Sequence, residues 1–122
     1  MAKVENDEER EHRIAMEIVV DAYDAEERAM GWYYYLEDKL HYPFLTSCRT
    51  KRAISPLRVE DEVEVIGLAP AEECEHEMFV MMRWEKEGLA VPLIQLKVTH
   101  GEEQTREAVE DWHYWVAQGY QF

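Results

Sequence analysis

The apolar residues of this 122-residue chain change period twice, and those changes limit the folds open to it. Up to Leu40 they recur every three or four positions, the spacing of one helix face. From Phe44 they fall in short runs between turn residues, some strictly alternating, and beyond Gly101 the helical spacing returns. Helices, then strands, then a helix predict an α+β domain. Ile14, Ile18, Val19, Ala22 and Tyr23 predict a first helix from about Glu8 to Tyr23, with its buried stripe at those positions. Asp24 followed by Glu27 has the spacing of a capping box and predicts a second helix, with Trp32, Tyr35, Leu36 and Leu40 inward. Tyr42-Pro43 would end it, because a residue before proline is driven out of the helical region. Residues 1–12 are charged and aperiodic, so a frayed end is expected there.

Four runs carry the strand signal: 44–52, Glu62 to Leu68, Glu75 to Trp84 and Leu89 to Val98. Val63 and Val65 alternate with Glu62 and Glu64, placing valines on one face and acids on the other. Pro92-Leu93 breaks the last run into a short strand, a tight helical turn and another short strand. About five short strands with such a turn before the last predict a small SH3-like β-barrel over residues 44–99. The segment from Val59 to Val63 has the place of that barrel's leading turn, with Glu60 where glycine is usual. Thr105, Ala108, Val109, Trp112, Val116 and Tyr120 then form one stripe of a C-terminal helix over 101–119, with Trp115 on its flank. The whole of 1–122 reads as a single domain: a helical part at 8–41, the barrel, and the last helix packed on it.

Charge narrows the function. Twenty-seven acids against 13 Lys and Arg give a net charge of −14, which repels nucleic acid and anionic membranes and suits a positively charged partner. With no basic segment leading into an apolar run and no apolar stretch of membrane length, a cytoplasmic setting is expected. In that setting Cys48 and Cys74 are expected to be reduced, packing-type thiols. No phosphate loop, nucleophile elbow or helical His pair occurs, so no enzyme is expected.

Carboxylate oxygen is in excess instead. Glu37 and Asp38 end a helix where acids are electrostatically disfavoured, with only Lys39 beside them. Residues 60–82 hold eight acids, Asp61, Glu75 and Glu77 among them, and no Lys or Arg. Like charges across a hairpin destabilise it, so a cation is expected to neutralise them. Calcium, which accepts six to eight oxygens in loose geometry, suits such a surface better than magnesium. The Asp-x-Asp-x-Asp-Gly loop is absent, so the site would not be an EF-hand.

The stretches AMEIVVDAYDAEERAMGWYYYLEDKLHYPF, RAISPLRVEDEVEVIGLA, ECEHEMFV and RWEKEGLAVPLIQL, within residues 14–98, resemble the cyanobacterial calcium-binding CcbP family. The resemblance implies a small protein that binds calcium through surface carboxylates, becomes more compact when loaded, and buffers cytoplasmic calcium. Asp38, in LEDKLHYPF, is the ligand it carries over most directly; Glu37, Asp61, Glu75 and Glu77 match acidic segments. The alternative is an acidic SH3-like interaction module that captures a basic protein partner.

Overall fold

The structure is a computed structural model and describes residues 7–84 and 88–119. Helix α1 (Glu8–Arg13) begins at Asp7, whose carboxylate accepts the Arg10 N–H at 3.0 Å. It widens into a π-helical turn, Ile14–Ile18, closed by Val19 N–H donating to the Ile14 carbonyl. The helix expected to reach Tyr23 stops here. Asp21 adopts a left-handed φ of 56°, so the chain turns away and Tyr23 is exposed rather than buried.

Helix α2 (Ala25–Lys39) starts at the cap read from the sequence: Asp24 accepts the Glu27 N–H at 2.8 Å. Glu27 reaches back to the Tyr23 N–H, one residue before the usual capping-box partner. Trp32, Tyr35, Leu36 and Leu40 are buried as expected. The helix closes at Leu40, before the cis Tyr42-Pro43 bond. Gly31 sits where α2 crosses the π-helical turn, and a Cβ there would fall on the Ile18 carbonyl oxygen. Glycine sets how closely the two segments approach.

Among the described residues five antiparallel strands follow, β1 (Phe44–Cys48), β2 (Glu62–Leu68), β3 (Phe79–Met82), β4 (Leu89–Pro92) and β5 (Leu96–His100), in the order β4-β3-β2-β1-β5. β4 and β5 are the two edges and do not pair, so the sheet is open and the expected barrel is not formed. A 3-10 turn, Leu93–Gln95, joins these edges. From Pro92 to Leu96 the chain can span at most about 14 Å, whereas four strand spacings of a flat sheet need about 19 Å. The sheet must therefore curl strongly, which gives it a barrel-like curvature without closure. The first and third runs shorten against expectation. Arg49 N–H leaves the strand for the Gln95 carbonyl, and a 3-10 turn at Ala71–Cys74 occupies the approach to β3.

Helix α3 (Glu103–Ala117) packs on α2 and the sheet. Its inward face carries Thr105, Ala108, Val109, Trp112 and Trp115, while Val116 is exposed, so the stripe is rotated toward Trp115. Tyr120 lies outside the described residues. Thr105 Oγ1 accepts the His41 N–H at 3.0 Å and ties the α2–β1 connection to α3. Arg10 and Arg13 of α1 converge on the buried carboxylate of Asp111.

Glu60 takes φ 75°, which explains why glycine is usual in that turn. Glu60→Gly removes strain of about 1–2 kcal/mol and adds a chain-entropy cost of somewhat less. A net gain of up to about 1 kcal/mol is expected in urea denaturation; a loss would mean that the Glu60 side chain supplies compensating contacts.

Candidate metal site

The expected ligands fall into three groups. Glu37 and Asp38 occupy the last turn of α2, both exposed. Asp38 has a side chain 75% exposed, and Lys39 Nζ lies 3.7 Å away. That ammonium also stands 5.9 Å from the centre of the Tyr35 ring, and an exposed pair of this length relieves little charge. Asp38 therefore offers free carboxylate oxygen beside the negative end of a helix.

Asp61 precedes β2. Its Oδ2 accepts the Arg58 N–H at 2.8 Å and its carbonyl accepts the Cys48 N–H at 2.8 Å, which pins the turn around Glu60. Glu75 and Glu77 lie between the Ala71–Cys74 turn and β3, not on the strand. They therefore do not face Glu62 and Glu64 across a hairpin, as the longer strand would have required. Part of the expected repulsion is relieved by arginine. Arg52 Nη1 contacts both Glu77 oxygens at 2.8 and 2.7 Å, and Arg83 Nε meets Glu64 at 2.7 Å. Both arginines stand outside the acid run, where inspection of that run alone misses them.

One neighbourhood was not foreseen. Tyr33 donates to the Ala69 carbonyl at 2.7 Å. Its phenol is raised above the ordinary tyrosine range by burial first, then by Cys74 and by the carboxylates Glu37 and Glu72. Tyr42 is raised by burial, then by Tyr33 and Glu37. Glu37 of α2 and Glu72 of the 3-10 turn thus bear on one tyrosine from different segments. The sequence signal was the helical turn itself: Glu72 and Glu73 directly follow Pro70-Ala71, where a tight turn presents them outward.

All five expected ligands carry the hard oxygen that calcium takes, so the donor chemistry fits. Among the described residues, no three His, Cys, Asp or Glu side chains are already gathered at ligand distance around one point. The carboxylates stand on separate turns, and binding would have to draw them together or fill the remaining positions with water and backbone carbonyls.

The buried sulfur and imidazole groups have structural partners. Cys48 and Cys74 are free and buried. Cys48 Sγ donates to the Thr50 carbonyl at 3.2 Å, and Cys74 Sγ accepts the Phe79 N–H at 3.4 Å. Burial raises the Cys74 thiol and keeps it protonated. His113 is pushed down to about 4 by burial, then by the Arg49 charge, and stands 3.4 Å from the Leu93 carbonyl, which its neutral Nε2–H can reach. A base with a depressed folded value stays neutral while the unfolded chain takes up a proton, so stability is full above 6.5 and lost as pH falls toward 4. Between about pH 6.5 and pH 5 the loss from His113 should reach about 2 kcal/mol. His113→Gln should flatten that part of a urea-midpoint profile; an unchanged slope would clear His113 of the effect.

No helix among the described residues is long and apolar enough to cross a membrane. A family profile described as calcium binding, that of the CcbP proteins, matches residues 12–116. The crystal structure of Anabaena CcbP is 46% identical, covers 100% of both chains and superposes with a TM-score of 0.86. A second solved structure, "Calcium binding protein in the calcium-binding form", is 44% identical, also over 100% of both chains, with a TM-score of 0.86. No curated protein matches. The profile spans α2, the whole sheet and nearly all of α3, and the chain belongs to the CcbP family of calcium-binding proteins.

Proposed function

We propose that this chain binds calcium through the carboxylates of Glu37, Asp38, Asp61, Glu75 and Glu77, without an EF-hand, and buffers or senses free calcium in the cytoplasm. Membership of a calcium-binding family is the observation that carries this reading. The relative in a calcium-binding form, alike over its full length, supports it. The donor set adds a physical reason. Carboxylates on three turns, exposed except for the Arg52-paired Glu77, can each give one or two oxygens, and calcium tolerates the irregular shell that results.

Because the carboxylates are not gathered in advance, part of the binding energy is spent ordering them, and the affinity belongs at about 10⁻⁷ to 10⁻⁴ M. A bound divalent ion offsets repulsion within a chain of net charge −14 and raises stability by mass action. It also draws acidic turns together, which supports a more compact loaded form. The large formal charge gives low sensitivity to nucleic acid and anionic membranes, in keeping with a free cation as cargo.

Asp38 is three-quarters exposed with only a long contact to Lys39, and it is the ligand to test first. Asp38→Ala should weaken calcium binding about tenfold in titration calorimetry. Unchanged affinity and stoichiometry would remove Asp38 from the set.

A further inference from the structure

Arg52 and Glu77 come from different parts of the chain, the connection between β1 and β2 and the segment before β3. A single guanidinium nitrogen, Nη1, stands 2.8 and 2.7 Å from the two Glu77 oxygens. It therefore lies between them, where a carboxylate that gives both of its oxygens holds calcium at about 2.3–2.6 Å. Two cations cannot share that place. The guanidinium is also firmly held: the Arg52 and Glu77 side chains are 34% and 26% exposed, so water and salt weaken this pair less than one on open surface. The other proposed ligands carry no such tie. Asp38 has only its 3.7 Å contact with Lys39, and Glu37, Asp61 and Glu75 form no ion pair among the described residues.

We propose that Arg52 is an internal competitor of calcium for Glu77, and that its displacement sets how tightly the ion is held. This rests on the calcium reading, in which Glu77 is a ligand. In the free chain the guanidinium is the counter-ion of Glu77, joined to it by charge-assisted hydrogen bonds. On loading, the divalent ion takes both oxygens and the Arg52 head group moves into solvent. Binding at Glu77 is thus an exchange of one cation for another, and calcium gains only the excess of its own attraction over that of the guanidinium. The exchange lowers affinity, and it makes the free chain more stable at the expense of the gain on loading.

Titration calorimetry with calcium at constant ionic strength, on the full chain and on Arg52→Gln, is the test. The variant should bind calcium about tenfold more tightly, with unchanged stoichiometry. Lys51→Gln removes the same charge from the adjacent residue, which is exposed and forms no ion pair among the described residues; it should change affinity less than about twofold. With Glu77→Gln added, the gain from Arg52→Gln should disappear. Thermal melts give a second readout: Arg52→Gln should melt below the parent chain in chelator and level with it in saturating calcium, because the pair exists only in the free chain. Equal tightening by Lys51→Gln would reduce the effect to net charge and overturn the proposal. A gain that survives Glu77→Gln overturns it too, as does unchanged or weaker binding by Arg52→Gln while the parent chain binds calcium; each of these leaves the calcium reading standing. A parent chain that binds no calcium overturns that reading and the proposal together.

Discussion

Asp111→Asn should destabilise the protein by about 3–5 kcal/mol, the cost of removing one partner from a buried ion pair. Asp111 is fully buried on α3. Arg13 donates to both of its oxygens at 3.0 and 2.6 Å, Tyr35 donates at 2.7 Å, and Arg10 approaches to 3.1 Å. The carboxylate holds Arg13 firmly protonated, and burial together with Asp111 pushes the Tyr35 phenol far above its usual value. Helix α1 buries no residue of its own, so this carboxylate and the Tyr114 hydroxyl, which donates to Glu11 and accepts from Asp7 N–H, attach it to α3. Without the charge, two partly buried guanidinium groups lose their buried counterion and keep only longer pairs, Arg10 with Asp7 and Glu110 and Arg13 with Glu107. Asp111→Leu combined with Arg13→Met and Tyr35→Phe should recover more than half of the loss, because the apolar replacement leaves less charge stranded. Guanidinium denaturation measures both, and an Asp111→Asn variant of wild-type stability would show the network to be dispensable.

Trp32→Ala should cost about 3–5 kcal/mol, with Trp32→Phe costing far less. Trp32 is 0% exposed and joins α2 to α3: its ring meets Tyr35 at 5.9 Å, Trp112 at 5.1 Å and Trp115 at 5.7 Å between centroids. Edge and tilted contacts of this kind add to the area term. Its Nε1–H is buried with no hydrogen-bond partner among the described residues, so phenylalanine loses volume and at the same time removes an unsatisfied donor. A melt of about 10 °C or more below wild type is expected for alanine. Equal losses for the two variants would mean that the indole N–H is satisfied in solution.

Local chemistry made most elements legible. The Asp24 cap, the Trp32 to Leu40 stripe, the alternation about Val63 and Val65, and the break at Pro92 are near-neighbour effects, and each stands where the sequence placed it. Long-range pairing was not legible: periodicity reports that strands exist and leaves open whether β4 and β5 meet, and they do not. The early end of the first helix depends on the left-handed turn at Asp21, which no apolar spacing announces. Asp111 could have been found, since 108, 111, 112 and 115 recur on one face and an acid among Ala and Trp there needs a buried cation. In the site, Glu37 and Asp38 were visible as acids at the wrong helix end. The Arg52 and Arg83 pairs and the approach of Glu72 to Tyr33 arise only on folding.

Thermal melts in calcium and in magnesium at fixed ionic strength test the proposed function most directly. A saturable rise with calcium is expected, about 2.7 kcal/mol at a roughly hundredfold excess over Kd, with a much smaller response to magnesium. Equal small shifts from both ions, or no shift, would mean that these carboxylates are an ordinary solvated surface and hold no specific ion.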